Sequence, residues 1–533
     1  MRRRRDSAAR SDSELLAQLG AVSRSVRFQT MGLLVDGHRF DLRLYPYLVD
    51  LFDSNHADIV IRKGAQLGFT IALVLRVIAL ASALYKRSVI YFMPTRDDVS
   101  DFSKARFDRL LKENAVLARD VRGTDATHIK RIGETFVYFR GAKSRSQAKS
   151  VPADLVVFDE RDEMDQDLVD LARTRLDGSP WRHQVSLSTA TLPDYGVDHD
   201  YQASDQRTWH IKCRACGKWT CMELDWPESV KRRADGTAYR ACKKCSGEIH
   251  TLHGDWVAAY PDRSKMGLWV SQLCSPTVSP QLVLDEYEDP GHNVREFYNS
   301  RLGLAWADTE DILDEASLRA VTTDEPSKRS AQGPCFLGAD VGKREIHWWA
   351  GEKRDGELEM LAFGVVGDFG ELSDILRRFN VAVAVLDEMA ETRKVREYKA
   401  LHGEVWGCWY SDAQRTGYDW GVKERRVAVN RTELLDQSHR MIVQKLVKMP
   451  RPDDRWHDLV KHMTNLARLV ERNKETGLPK IRWVVRGGRK LDHWRHAFAY
   501  AVLAAEMAPI AERARLIQSP RRTRPTALSW MSA

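Results

Sequence analysis

Three groups of residues in this sequence have types and spacings suited to chemistry. The first is RKGAQLGFT, residues 62–70, between an apolar run and a long helical stretch. A strand-to-helix turn of this kind can cradle phosphate with backbone N–H groups and a helix N-terminus. Against the pattern G-x-x-x-x-G-K-[ST], Lys63 takes the first position, Gly68 the sixth, Phe69 the seventh and Thr70 the eighth. Gly68 would let amides approach phosphate oxygens, and the Thr70 hydroxyl would reach Mg²⁺. The charge usual at the seventh position must come from Lys63, or from Arg62 beside it. Downstream, an apolar strand ends in Asp159 and Glu160, one carboxylate placed for Mg²⁺ and the next for polarising a water. Ser188-Thr189-Ala190-Thr191 follows another strand and is fit to sense a γ-phosphate. Each alone could be an ordinary strand end; in this order, each at a strand's C-terminal end, they read as a site for ATP hydrolysis.

The second group is Cys213-x-x-Cys216 and Cys242-x-x-Cys245, separated by 25 residues. Four thiolates on two CxxC turns suit a structural, tetrahedral Zn²⁺. Gly217 and Gly247, just beyond the pairs, favour the tight turns of a zinc ribbon. Cys221, Cys274, Cys335 and Cys408 fit no ligand spacing and read as reduced core residues.

The third group is three separated acids. Asp340 interrupts an apolar run, FLGADV, where a charge is costly unless it is paired or binds metal. Asp387 ends VAVAVLDE, with Glu388 beside it, and Asp492 opens the helical LDHWRHAFAYA with His493 and His496 following. Such carboxylates could converge on two Mg²⁺ or Mn²⁺ ions that activate water and stabilise the leaving oxygen of a phosphodiester. The plainer readings are an N-cap for Asp492, a solvated strand-end acid for Glu388 and satisfied histidines for the other two.

The elements that must position these residues follow from the pattern. Over residues 28–203, short β-rich runs alternate with helical stretches, implying a mostly parallel α/β sheet of the RecA-like P-loop type. Residues 204–255 carry the cysteines, few aliphatics and glycine turns, and read as a zinc-ribbon insertion. Residues 256–331 read as connector and linker. Residues 332–508 give three strands, a helix, a fourth strand, a helix and a fifth strand, the start of an RNase H-like sheet. Residues 1–27 and 509–533 are basic flanks.

The chain has 533 residues, 43% hydrophobic and 30% charged, with a net charge of +8. Segments 1–27 and 511–533 each contribute +4, so the body between them is neutral and DNA contact there rests on local clusters. Lys143, Arg145 and Lys149 form one, and Arg486, Arg489 and Lys490 another. Eight cysteines are too few for a disulfide scaffold. The start has no apolar leader core, and no stretch is long enough for a bilayer. A membrane protein, a secreted miniprotein and a disordered chain are excluded.

The order of motifs resembles the large subunit of tailed-phage DNA-packaging terminases, of the lambda-like type, over roughly residues 30–508. Its most specific match is the displaced phosphate-loop lysine, K-[SG]-A-[QR]-[VL]-G-[YF]-[ST], here residues 63–70. Asp159-Glu160 matches the Walker B pair and 188–191 the coupling motif. The resemblance implies an ATPase that pumps double-stranded DNA into a procapsid and an endonuclease that cuts concatemeric genomes. It implies as partners a small terminase subunit, the portal ring and further copies of the chain, in the host cytoplasm and not on a membrane. It places Tyr45-Pro46-Tyr47 at the adenine-contacting segment, and it leaves Arg140 and Arg145 as arginine-finger candidates. Competing readings are a DNA helicase, a non-enzymatic zinc-ribbon DNA-binding or assembly protein, and a transposase- or resolvase-like nuclease with an appended motor.

Overall fold

The computed structural model describes residues 23–83, 88–121, 126–149, 151–308, 310–354, 357–411, 413–414, 417–472, 479–488 and 491–518. The basic segment before residue 23, Arg489, Lys490 and the tail from 519 lie outside the described residues. Two units divide the chain, Met1–Ala307 and Asp308–Ala533.

The first unit is built on one sheet. Its strands are β1 (Asp58–Lys63), β2 (Ser88–Met93), β3 (Ile129–Ile132), β4 (Thr135–Gly141), β5 (Leu155–Asp159), β6 (His183–Ser188), β7 (Arg207–Lys212), β8 (Trp219–Cys221), β9 (Gly254–Ala258) and β10 (Met266–Val270). They run in the order β8-β7-β10-β1-β6-β5-β2-β4-β3, with β9 also on β7. From β7 to β4 every neighbouring pair is parallel. Strands buried on both faces must be apolar throughout, which is why VIYFM and LVVF read as continuous apolar runs. Helix α1 (Phe69–Ala83) is apolar on nearly every side because it lies within the core. Its one interior charge, Arg76, donates through Nη1 to the carbonyls of Leu51, Phe52 and Ser54 at 2.5, 3.2 and 3.0 Å. These carbonyls close a neighbouring short helix, Val49–Asp53, so the buried guanidinium satisfies groups that would otherwise be stranded.

The sequence boundaries need correction here. Residues 266–270, expected within a connector over 256–331, form β10, in the middle of the sheet beside the phosphate-loop strand. Residues 207–212, expected within the ribbon segment, are likewise a sheet strand. Both are short, and their pairing partners lie far along the chain, so local periodicity gives no sign of their place. The unit boundary accordingly falls at 307/308, earlier than the expected start of the second unit at 332.

The second unit has its own eight-stranded sheet. It contains β11 (Cys335–Val341), β12 (Ile346–Arg354), β13 (Glu357–Val366), β14 (Val381–Asp387), β15 (Val405–Tyr410), β16 (Tyr418–Gly421), β17 (Arg426–Val429) and β18 (Val447–Lys448). Their order is β16-β17-β15-β14-β11-β12-β13-β18. β11, β12 and β13 are successive antiparallel neighbours, and β14 then returns parallel to β11 on its other side. Strand alternation sorts β11 between two cores. Leu337, Ala339 and Val341 join the core that includes Ile375 and Leu376 of the helix Phe369–Arg378. Phe336 joins the core built around the helix His493–Gln518. Gly338 shares that second face, and the long helix crosses directly over it. A Cβ at Gly338 would collide with the backbone N of Ala501 and the carbonyl of Ala497. Gly338→Ala is therefore expected to destabilise the second unit by about 1–3 kcal/mol or more through overpacking, read as a lower unfolding midpoint in denaturant.

Candidate active sites

Parallel strands end on one edge, so Lys63 at the end of β1, Ser188 at the end of β6 and Asp159 at the end of β5 become neighbours across three adjacent strands. Glu160 follows in the left-handed region with φ 57°, an uncommon conformation for a non-glycine residue, of the kind found at functional sites. Lys63 Nζ lies 3.3 Å from Glu160 Oε1, and the Ser188 hydroxyl donates to Glu160 Oε2 at 3.4 Å. Lys63 is buried while Glu160 is half exposed, so the pair faces the loop edge.

Arg62, the other cation considered, is committed elsewhere. Its Nη1 sits 2.6 Å from Asp198 Oδ1, and its guanidinium lies over the rings of Tyr201 and Trp269 at 4.1 and 4.2 Å. The phosphate loop is held from outside its own motif: Gly64 N–H donates to Val270 O at 3.0 Å and Ala65 N–H to Ser300 O at 2.7 Å. Gln272 Nε2 donates to Ala65 O at 2.9 Å. The N–H groups of Gln66, Leu67 and Gly68 have no acceptor among the described residues. Gly68, with φ +79°, makes the turn into α1. Phe69, at the position usually held by lysine, is 1% exposed and stacks on Tyr47. Tyr47 is itself fully buried and donates its hydroxyl to Leu67 O at 3.2 Å. Here Tyr47 supports the loop from the core.

Asp159 is fully buried. The Tyr91 hydroxyl donates to its Oδ2 at 2.6 Å, while Oδ1 has no partner. Burial, and then the Glu160 charge, push its pKa up to about 6. An orphaned, buried carboxylate oxygen fits a divalent cation, which would both fill it and favour the ionised acid.

Arg140 is half-buried and donates to the carbonyls of His128 and Phe139, while Lys143, Arg145 and Lys149 are exposed.

The four cysteine sulfurs gather within 4.8 Å of one another. Cys213 and Cys245 sulfurs are 3.7 Å apart, as are those of Cys216 and Cys242. Metal–sulfur bonds of about 2.3 Å in a tetrahedron require sulfur–sulfur edges of about 3.8 Å, so the quartet fits zinc. The two knuckles match: Cys213 N–H donates to Lys218 O at 2.8 Å and Cys242 N–H to Gly247 O at 2.9 Å. Gly217 takes the expected positive φ of 72°, but in the second knuckle Ser246 takes it, with φ 57°. Gly247 is instead tight against the Cys245 sulfur, where a Cβ would come within 3.2 Å.

In the second unit Asp340 and Asp387 end adjacent parallel strands, in a register that pairs Ala339 with Leu386 just before them. Asp492 stands at the start of the long helix, which packs across β11. Asp340 Oδ2 lies 2.7 Å from His493 Nδ1, and Asp492 Oδ2 lies 3.5 Å from His496 Nε2. The other His496 nitrogen is 2.9 Å from the Tyr410 hydroxyl. Burial raises the Asp387 pKa to about 6, and the Asp340 charge adds to the rise. Burial works against the Asp492 charge too, but His496 and His493 hold its pKa down to about 2. The three acids thus share one end of the sheet. Among the described residues, though, only the cysteines gather three or more ligand atoms within 4.8 Å. Glu388 is not solvated: it is 0% exposed, with Lys399 at 2.7 Å, Arg426 at 2.6 Å and Arg396 at 3.3 Å.

Residues 37–269 match the model of the ATPase domain of the phage terminase large subunit gpA. These residues thus carry the ATPase domain of the phage terminase large subunit family. The chain's fold is similar over 90% of its length to the large terminase of bacteriophage HK97, covering 99% of that chain, with 13% identity and a TM-score of 0.51. The large terminase of the thermophilic bacteriophage D6E is 11% identical and covers 87% of this chain and 98% of its own, at a TM-score of 0.33. No curated protein matches the chain. No helix among the described residues is long and apolar enough to cross a membrane.

What the sequence concealed is the support around its motifs. Asp162, two residues past Glu160, is 1% exposed and accepts from Thr191 N and Oγ1, both at 2.8 Å, and from Val197 N at 2.6 Å. It ties the acidic turn to the hydroxyl turn, and burial raises its pKa to about 7 despite these bonds. Arg161 reaches Asp200 at 3.0 Å in the helix that also carries Asp198. Acids in an RDE run read as surface, and nothing local signals their burial. Glu388 yields a test. Burial opposes its charge, but Arg426 and Lys399 hold its pKa down to about 2 from an ordinary 4.5. Its stabilisation is full above pH 4.5 and lost as pH falls toward 2. Glu388→Gln strands two cations and is expected to cost about 3–5 kcal/mol at pH 7. That difference should narrow below pH 4.5 in denaturant titrations.

Proposed function

We propose that this chain is a terminase large subunit that hydrolyses ATP to drive double-stranded DNA into a procapsid and cuts that DNA at a second, metal-dependent site. One observation carries the motor reading: Lys63, displaced to the head of the loop, meets Glu160 across the strand ends at 3.3 Å. In this reading Lys63 neutralises the β- and γ-phosphates, and the unused N–H groups of residues 66–68 receive their oxygens. Arg62, held by Asp198, is unavailable for that role. Thr70 and Asp159 would hold Mg²⁺, which supplies charge neutralisation to the phosphates. Glu160 orients and polarises the attacking water once phosphate draws Lys63 away from it. Ser188, bonded to Glu160, senses that change, and Asp162 carries it to Thr191.

The nuclease reading rests on Asp340, Asp387 and Asp492 at one end of the second sheet. There Asp387 is burdened by the Asp340 charge, a strain that Mg²⁺ or Mn²⁺ would relieve. The antiparallel β11-β12-β13 followed by parallel β14 supports an RNase H-like domain, and disfavours a helicase, whose second domain would be another RecA-like sheet. Cys213, Cys216, Cys242 and Cys245 would hold a structural Zn²⁺ in a ribbon. The small terminase subunit, the portal of the procapsid and further copies of the chain complete the proposed machine, acting in the host cytoplasm.

Glu160→Gln is expected to lower ATP turnover at least 100-fold while nucleotide binding persists, whereas Lys63→Ala should lose binding. Retained turnover in Glu160→Gln overturns the assignment. Asp340→Asn should abolish Mn²⁺-dependent plasmid nicking and leave ATPase activity intact. Elemental analysis should find one zinc per chain, lost with its ribbon's stability in Cys245→Ser.

A further inference from the structure

The second unit has a cavity of about 350 Å³ that none of these activities uses. It opens beside β13, beyond the stretch of that strand that pairs with β18, and is walled by the segment 326–329 and by Arg378, Arg451 and Arg455. The segment is firmly seated. Lys328 N–H donates to Leu361 O at 2.8 Å, Ala331 N–H to Arg378 O at 3.1 Å and Arg451 N–H to Glu325 O at 2.8 Å. Five cations line the cavity, Lys328, Arg329, Arg378, Arg451 and Arg455, against one acid, Asp453. Asp453 is already bonded to Arg455. The other four cations have no ion pair among the described residues. Arg378 closes a helix, where a cation is favoured in any case. Lys328, Arg329 and Arg451 have no such local reason to be there.

Trp348, Ala362, Phe363 and Phe379 give the cavity an apolar side. Five cations against one acid around a single cavity favour an anion as its occupant. The size suits a phosphate group with its immediate substituents, and arginine forks match phosphate oxygens in geometry as well as charge.

We propose that this cavity is a phosphate-binding site, which goes beyond the motor and nuclease reading. The phosphate could belong to the DNA backbone or to a free phosphoanion, and one experiment separates the two. Full-length Arg329→Ala/Arg451→Ala and its charge-keeping counterpart Arg329→Lys/Arg451→Lys are compared with the parent chain. Binding of a 30-base-pair duplex is measured across a salt series, and binding of pyrophosphate by calorimetry. If the source is DNA, the alanine variant binds the duplex at least fivefold more weakly and its log–log salt slope falls by about 0.9. The lysine variant keeps most of the slope. If the source is a free phosphoanion, duplex binding is unchanged and the pyrophosphate signal is lost in the alanine variant alone. Unchanged duplex affinity, slope and pyrophosphate signal overturn the proposal. An unfolding midpoint unchanged from the parent chain serves as the folding control for the second unit.

Discussion

A lysine and a glutamate 3.3 Å apart, on two strand ends with one strand between them, set the terms for the first unit. Neither charge could be held at that edge by local sequence alone. Lys63 must leave the sheet in the same direction as Glu160, which only parallel strands allow, and parallel strands require helical crossovers and apolar runs buried on both faces. The apolar α1, the stacked Phe69 and Tyr47, and the buried Arg76 are consequences of covering that sheet. Each charge of the pair satisfies the other, and in the proposed mechanism a phosphate competes for the lysine.

The same physics recurs wherever this chain buries charge. Arg62 with Asp198, Arg161 with Asp200, and Glu388 with Lys399 and Arg426 are closed sets, in which each charge has a partner in bonding range. Such sets hold neighbouring functional residues in place, since removing one member strands the other. Arg62 and Arg161 sit next to Lys63 and Glu160, and Glu388 sits next to Asp387. Charges with a missing partner are of another kind. The Asp159 Oδ1 atom has no partner within the chain, and the four cations around the Trp348 cavity have no acid to pair with.

Much of this was legible in the sequence. Continuous apolar runs gave the strands that carry Lys63, Asp159, Asp340 and Asp387, because a strand buried on both faces admits few polar residues. The spacing of the cysteine pairs predicted a gathered quartet, because a CxxC turn has little freedom. Less legible were the two short strands 207–212 and 266–270, whose neighbours are distant in sequence. The exchange of roles between Ser246 and Gly247 was also hidden, since backbone conformation there depends on how the two knuckles meet.

Residue type and order by themselves determined which groups are available: a displaced lysine, an acidic pair, a hydroxyl turn, two thiol pairs and three isolated acids. They did so because chemistry needs particular functional groups, and apolar flanks fix where strands begin and end. Only the tertiary structure decided which of these are free to act. Arg62 and Lys63 are adjacent and equally charged, yet packing against Asp198, Tyr201 and Trp269 consumes the first and leaves the second facing Glu160. Asp387 and Glu388 divide in the same way, one left beside Asp340 and the other locked among cations. Side chains of neighbouring residues on a strand point to opposite faces, and the partners waiting on each face come from parts of the chain that only folding brings near.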